Sequence, residues 1–157
     1  MIDSTGPDND ERLYLDDLSV GRRFVTKTHA LDEAQIKAFA AQFDPQPFHL
    51  DDELARRTLF GGLAASGWHT AAITMRLLVE HGLPLAEGII SSGGEMRWPK
   101  PTRPGDVLHV ECEIVEVTPS RSRPDRGTAV VRSETRNQNG DVVQVFTAKL
   151  VVPRRPA

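Results

Sequence analysis

One stretch of sixteen residues, Ser66–His81, constrains the fold more than any other part of the chain. Its apolar residues recur on nearly every face of an α-helix, and Gly82 follows where helices commonly end. The residues that carry this pattern are Trp68, Ala71, Ala72, Ile73, Met75, Leu77, Leu78 and Val79. A helix that is apolar almost all round belongs in a protein interior. The sequence therefore predicts a long central helix that other elements must cover.

The chain after this helix has the alternating apolar pattern of β-strands. We expect four strands, over Gly88–Trp98, Asp106–Val117, Gly127–Arg136 and Val142–Val152. Leu108, Val110, Cys112 and Ile114 share one face of the second strand. Pro99–Gly105 reads as a proline-rich crossover, and the Asn139-Gly140 pair is a strong hairpin signal. Antiparallel strands that cover one apolar helix predict an α+β fold, with a sheet wrapped around a long central helix.

The first part of the chain precedes the central helix. Residues 1–12 are polar and acidic and predict a flexible N-terminus, so we expect one domain over residues 13–157. Tyr14–Gly21 is expected to be a packed segment that ends in a glycine turn. Arg22–Ala30 predicts a first strand, and Asp51–Arg57 predicts a short helix that begins with acidic residues.

A short loop with two prolines, Asp44–His49, follows a helix predicted over Leu31–Phe43 and capped by Asp32. Proline fixes φ and has no N–H to donate, so the helix must stop here. Asp44 and His49 can then point at one small target, as proton transfer to or from a bound water requires. The plainer interpretation is a helix-ending turn, because Asp-Pro is common in turns.

The start of the central helix offers a second polar feature. Ser66 and Gly67 place free backbone N–H groups at the positive end of the helix dipole. A glycine lets a ligand oxygen approach, and such a terminus can hold an anion or an oxyanion that develops during a reaction. The plainer interpretation stays open here: Ser66 is an N-cap and Gly67 is a packing choice.

Composition restricts the class of protein. With 157 residues, 39% hydrophobic and 26% charged, the chain fits one soluble globular domain. A net charge of −3 argues against general nucleic-acid binding. No apolar run approaches membrane-spanning length, and the opening residues do not resemble a signal peptide. We therefore expect a cytoplasmic protein, and the exposed edges of one sheet around one helix predict a homodimer.

Few other residues suggest chemistry. Cys112 is the single cysteine, which excludes an internal disulfide and a cysteine-rich metal cluster, and its strand position predicts a buried apolar role. His69, one turn into the central helix, is expected to be a hydrogen-bonded core residue. His29, His81 and His109 are expected at the surface. The sequence therefore has no cluster of metal ligands and predicts no metal site.

The order of these features resembles the (R)-specific enoyl-CoA hydratases and the wider MaoC-like dehydratase family, which have the hot-dog fold. The signature of that family is an Asp, an Asn-Pro pair two positions later, then a His, with a small residue beyond. Asp44, Pro47 and His49 match it, and Ala55 fits the small position. Gly67 fits the glycine that opens the central helix of the family. The resemblance extends over nearly the whole chain beyond its N-terminus.

Further segments fit the family pattern, and three residues depart from it. Tyr14–Gly21 fits, and Pro104-Gly105-Asp106 is similar to the turn before a long strand of the family. Gln46 stands where Asn is usual, and Ser66 replaces a histidine often found before the glycine. Met75 lies near a position that carries a serine in some hydratases.

The resemblance implies hydration or dehydration of an enoyl or 3-hydroxyacyl thioester. It assigns Asp44 and His49 to a pair that activates water. It assigns Gly67, with Ser66 before it, to an oxyanion site for the thioester carbonyl. The substrate would be carried by coenzyme A or by an acyl carrier protein, and the reaction needs no cofactor.

Two alternatives stay open for the sequence. A hot-dog thioesterase would use a carboxylate on the central helix, where Glu80 is the one acidic residue and lies at the far end. A non-catalytic subunit that binds acyl thioesters would keep the scaffold, and the departures at Gln46 and Met75 leave room for it.

Overall fold

A 15-residue helix packs against one face of an antiparallel sheet of six strands. The computed structural model of the protein describes residues 11–157. The helices are α1 (Glu33–Phe43), α2 (Pro47–Leu50), α3 (Asp52–Ala55) and α4 (Gly67–His81). The strands are β1 (Arg23–Val25), β2 (His29–Ala30), β3 (Ser91–Arg97), β4 (Val107–Pro119), β5 (Arg126–Arg136) and β6 (Val142–Pro153). The flexible N-terminus predicted over residues 1–12 lies almost wholly outside the described residues.

The sheet has the strand order β1-β4-β5-β6-β3, and its neighbours are all antiparallel. The four strands predicted after the central helix are present. The hairpin predicted between the last two is also confirmed, since Gly140 has a φ of 79°. The Asn137 side chain closes this turn by accepting the backbone N–H groups of Asn139 and Asp141, each at 3.0 Å. The expected hot-dog arrangement is therefore confirmed.

The first predicted strand is wrong in one respect, because Arg22–Ala30 forms two short strands instead of one. β1 and β2 both pair with β4, and Thr26 follows the first of them. The Thr26 hydroxyl accepts the backbone N–H of Val110 at 2.9 Å and donates to the Lys27 carbonyl at 2.7 Å. The Thr26 hydroxyl thus accepts the N–H that a backbone carbonyl would accept in a regular ladder. This interrupts the regular pairing.

The core lies between α4, α1 and the sheet. The predicted apolar face of β4 is confirmed, because each of its members is buried: Leu108, Val110, Cys112 and Ile114. Ile36 and Ala40 of α1 are also fully buried. Asp32 caps α1 as predicted, by accepting the Gln35 backbone N–H at 2.8 Å. The position of α1 is therefore fixed by packing along its length and by a cap at its start.

Helix α4 is less buried than its composition predicts. Ile73 and Leu77 face the core, whereas Trp68 and Val79 are 63% and 56% exposed. Met75 also lies on the exposed side. The prediction that this helix lies in the interior is therefore wrong for the single chain. One face packs against the sheet, and the opposite face presents apolar side chains to solvent.

Replacement of Leu108 by Ala tests the packing between β4 and α4. We expect the free energy of unfolding to fall by about 2–5 kcal/mol, because a fully buried leucine loses its contacts and leaves a cavity. Leu54→Ala is the matched control, since Leu54 is 51% exposed. It should change the free energy of unfolding by no more than about 0.5 kcal/mol. Chemical denaturation measures both values, and equal losses would show that Leu108 is not part of the core.

Candidate active site

Two prolines shape the segment that follows α1. The helix ends at Phe43, and Asp44 has left the helical conformation, with φ of −152° and ψ of 68°. Pro47 is the first residue of α2, a position that suits proline because an N–H there has no partner within the helix. The predicted loop therefore contains one helical turn, and His49 lies on it.

Asp44 and His49 lie next to each other across this bend. Asp44 Oδ2 is 3.3 Å from His49 Nε2. On the other side of the ring, His49 Nδ1 lies 2.6 Å from the Ala64 carbonyl oxygen. A carbonyl oxygen can only accept, so Nδ1 carries a proton, and in the Nδ1–H tautomer the lone pair of Nε2 faces Asp44. His49 is buried, and the rings of Phe48 and Phe60 pack against it.

The carboxylate of Asp44 is held by its neighbours. Gln46 Nε2 donates to Asp44 Oδ1 at 2.6 Å. Burial raises the pKa of Asp44, but hydrogen bonds from Gln46 and Ser66 oppose this effect. The charge that His49 can carry acts in the same direction as these bonds, and the pKa of Asp44 lies below its usual value. Gln46, a departure from the family pattern, thus supports the charged form of Asp44.

The other predicted site residues, Ser66 and Gly67, lie at the start of α4. Ser66 caps the helix, because its fully buried side chain accepts the Trp68 backbone N–H at 3.2 Å. The N–H of Gly67 donates to no other group in the part of the chain that the structure describes. The helix dipole makes such a free N–H attractive to negative charge. The four predicted residues therefore lie at the junction of α1, α2 and α4.

Gly67 also has a packing reason to lack a side chain. A Cβ at this position would lie 2.7 Å from Trp98 Cε2, closer than van der Waals contact allows. The structure thus supports the packing interpretation of this glycine. Trp98 is 41% exposed, and the ring of Trp68 meets it edge-on at a centroid distance of 5.5 Å. These two indoles form an aromatic corner, Trp68 and Trp98, beside the free N–H.

A chain of buried hydrogen bonds holds Trp98 in place. Its Nε1 donates to Gln144 Oε1 at 3.0 Å, and Gln144 Nε2 donates to Thr74 Oγ1 at 3.2 Å. Thr74 Oγ1 donates to the Thr70 carbonyl at 2.8 Å and lies 2.6 Å from Thr135 Oγ1. Sequence reasoning missed this network. Polar residues that interrupt the apolar pattern of α4 and β6 are the signal that could have revealed it.

His69 differs from its prediction as a hydrogen-bonded core residue. It is buried and stacks on Phe39 at 4.5 Å, but its Nδ1 has no hydrogen-bond partner among residues 11–157. With His29 and Arg76 it lines a groove of about 380 Å³ beside α1 and α4. Burial, with a smaller effect of His29, lowers the pKa of His69 to about 4. The ring is therefore uncharged at neutral pH.

Other features of the described chain concern metal binding and membranes. Within residues 11–157, no group of three or more His, Cys, Asp or Glu side chains is arranged to hold a metal ion. No helix in that range has the length and apolar character needed to cross a membrane. Cys112 is buried in β4 as predicted, and burial raises the pKa of its thiol to about 11.

Comparisons with known proteins match both the sequence and the fold. Residues 17–137 match the sequence model of the MaoC like domain. The structure superposes on that of the MaoC-like dehydratase from Rhodospirillum rubrum with a TM-score of 0.91 and 65% sequence identity. This match covers 92% of the present chain and 99% of the other.

Two further relatives are similar over most of the chain. The uncharacterized protein YdeM of Bacillus subtilis is 35% identical over 142 residues, which are 89% of this chain and 97% of YdeM. The 3-hydroxybutyryl-CoA dehydratase of Methylorubrum extorquens is 32% identical over 112 residues, which are 71% of this chain and 69% of that enzyme.

The acid stability of the fold should depend on His69. Its folded pKa of about 4 lies below its ordinary value of 6.5, so on acidification the unfolded chain takes up this proton first. Stability is unaffected above pH ~6.5 and declines as the pH falls toward 4, by at most about 3 kcal/mol. His69→Phe keeps the stacked ring and should flatten this decline. Denaturation of both proteins across this pH range measures it, and parallel curves would assign the decline to other groups.

Proposed function

Because the chain belongs to the MaoC-like dehydratase family, we propose that it hydrates enoyl thioesters to (R)-3-hydroxyacyl thioesters and catalyses the reverse dehydration. One observation carries the proposal: His49 Nε2 faces Asp44 Oδ2 at 3.3 Å, while the proton on Nδ1 is committed to the Ala64 carbonyl. Two adjacent acceptors, one of them anionic, can hold a water molecule by both of its hydrogens.

In this proposal the pair binds water and removes one of its protons. Water donates one hydrogen to Asp44 Oδ2 and the other to His49 Nε2. As the water oxygen forms a bond to C3 of the enoyl group, the O–H bond that points toward His49 breaks. Its proton moves to Nε2. The carboxylate of Asp44 stabilises the imidazolium that forms, and its lowered pKa keeps it ionised for this role.

The second half of the reaction takes place at C2 and at the thioester carbonyl. The electron pair of the C2–C3 double bond moves toward the carbonyl, whose oxygen becomes an enolate. The free N–H of Gly67, at the positive end of α4, stabilises this oxygen. The proton on His49 Nε2 then forms the C2–H bond and restores the neutral ring. One water is added overall, and no cofactor takes part.

The surroundings of Gly67 suit an acyl thioester. The aromatic corner, Trp68 and Trp98, is partly exposed and borders the free N–H, so an apolar acyl group has ring surface on which to pack. We infer coenzyme A as the carrier, because the relative from Methylorubrum extorquens is a 3-hydroxybutyryl-CoA dehydratase. An acyl carrier protein is the second carrier to be assayed.

The two other interpretations of the sequence have less support. A thioesterase would need a carboxylate of α4 near the site, but Glu80 lies in the last turn of that helix and pairs with Arg76 at 3.0 Å. A non-catalytic binding subunit has no need of an Asp-His pair, yet Asp44 and His49 are in contact. Hydration therefore explains the site best.

Asp44→Asn and His49→Ala test this proposal. Each should reduce the hydration of crotonyl-CoA by at least about a hundredfold, because each removes one acceptor from the water. The loss of enoyl-thioester absorbance measures turnover, and circular dichroism verifies the fold. Asp125→Asn and His81→Ala, both exposed, are matched controls that should retain activity. Unchanged turnover in either site variant would refute the assignment, and release of free thiol would indicate a thioesterase.

We further propose that the protein is a homodimer. The exposed apolar side of α4 carries Trp68, Met75 and Val79. β3 lies at the edge of the sheet and pairs with β6 alone among the described strands. An exposed strand edge and an apolar helix face are both surfaces that proteins normally cover. A second copy of the chain is the occupant that we propose for them.

Val79→Asp should weaken this dimer, because a carboxylate would be buried without a partner at the interface. Sedimentation analysis at several concentrations should show the wild-type protein as a dimer and the variant shifted toward monomer. Val20→Asp is the matched control, since Val20 is 68% exposed and lies in a turn outside both α4 and β3. A wild-type protein that sediments as a monomer would exclude the dimer.

A further inference from the structure

Arg103 lies between β3 and β4 and reaches over the glycine-rich segment Phe60–Ala65. Its Nη1 donates to the carbonyl oxygens of Gly62 and Leu63 at 2.9 and 3.3 Å. Its Nη2 donates to the carbonyl oxygen of Phe60. All three acceptors are backbone carbonyls that lie 40 to 43 residues before Arg103 in the chain. The guanidinium therefore acts as a clasp on one short piece of backbone.

Arg103 is itself held in position. Its backbone N–H donates to Asp106 Oδ2 at 2.8 Å, and Asp106 Oδ1 accepts from Gln138 Nε2 at 3.0 Å. Asp106 is buried. Gly105 has a φ of 89°, which residues with a side chain rarely adopt, so the turn before β4 is well defined. The guanidinium thus extends from a rigid turn.

The segment that Arg103 contacts has no helix or strand of its own. Its position depends on hydrogen bonds to other elements, such as those from Leu63 N–H to Asp52 Oδ1 and from Ala64 N–H to the Phe48 carbonyl. These bonds satisfy N–H groups, whereas Arg103 satisfies carbonyl groups. Loss of the guanidinium would leave three carbonyls without this donor and free the segment to shift.

The end of this segment contacts the ring of His49. Ala64 directly follows Leu63, and its carbonyl oxygen accepts the His49 Nδ1–H at 2.6 Å. That bond keeps the proton on Nδ1 and leaves the lone pair of Nε2 directed at Asp44. A displaced Ala64 carbonyl would remove the preference, because the other tautomer would then donate from Nε2 to the carboxylate.

We propose that Arg103 is a positioning residue for His49. It fixes the backbone of Phe60–Leu63. Together with the hydrogen bond from the Ala65 N–H to the Thr102 carbonyl, this holds the Ala64 carbonyl in place and so keeps Nε2 of His49 free of its proton. The effect on turnover rests on the proposed hydration reaction. The location of the proton on His49 does not, because it is a property of the folded chain that can be measured without substrate.

Kinetics of Arg103→Lys and Arg103→Ala test the first consequence. A single ammonium group cannot reach three carbonyls in the geometry of a guanidinium, so both variants should lose function. We expect kcat for crotonyl-CoA to fall by about tenfold or more, while KM changes by less than about threefold. Methylguanidinium added to Arg103→Ala should restore part of kcat. Arg22→Ala is the matched control and should behave as the wild type, because the exposed Arg22 guanidinium donates to the Asp17 carbonyl, away from the proposed site.

Nitrogen-15 NMR of the His49 ring in the substrate-free protein tests the second consequence. The wild type should show the Nδ1–H tautomer, and both Arg103 variants should populate the Nε2–H tautomer while their thermal unfolding remains cooperative. Wild-type kcat, or an unchanged tautomer, in both folded variants would overturn the positioning role. If the wild type and the variants show the expected tautomers but the wild type hydrates no thioester, the proposed function fails while the positioning of His49 stands.

Discussion

The hydrogen bond from His49 Nδ1 to the Ala64 carbonyl is the interaction on which the rest of the site depends. It joins two segments fifteen residues apart and is buried, so water does not compete for either group. Because the acceptor is a carbonyl, the bond decides which ring nitrogen carries the proton. Without it, the ring could take the tautomer in which Nε2 donates to Asp44, and the two groups would satisfy each other. With it, the pair presents two acceptors to a third molecule.

The site is built from the ends of helices rather than from their middles. Asp44 follows the last residue of α1, His49 lies on the single turn of α2, and Ser66 caps α4. Each end is defined by local chemistry: a proline that stops or starts a helix, or a hydroxyl that accepts a free N–H. Helix ends leave backbone groups unpaired, so this is where the fold has donors and acceptors to offer.

The sequence predicted those features that depend on neighbouring residues. The apolar face of β4, the cap at Asp32 and the Asn-Gly hairpin follow from periodicity and turn chemistry. The prediction that α4 is buried was wrong for one side of the helix, because composition does not show which face of a helix meets the sheet. The contacts of Trp98 and Arg103 could not be predicted, since their partners lie 46 and about forty residues away and depend on the complete fold.

Both of these long-range contacts begin in one segment, the crossover between β3 and β4. Trp98, at its start, packs on Gly67 and is oriented through Gln144. Arg103, near its end, holds the backbone that leads to the acceptor of His49. The crossover therefore touches the oxyanion side and the water side of the proposed site together. A thioester spans both sides during hydration, so the distance between them must be kept constant. A rigid, proline-rich connection that contacts both is a direct way to keep it so.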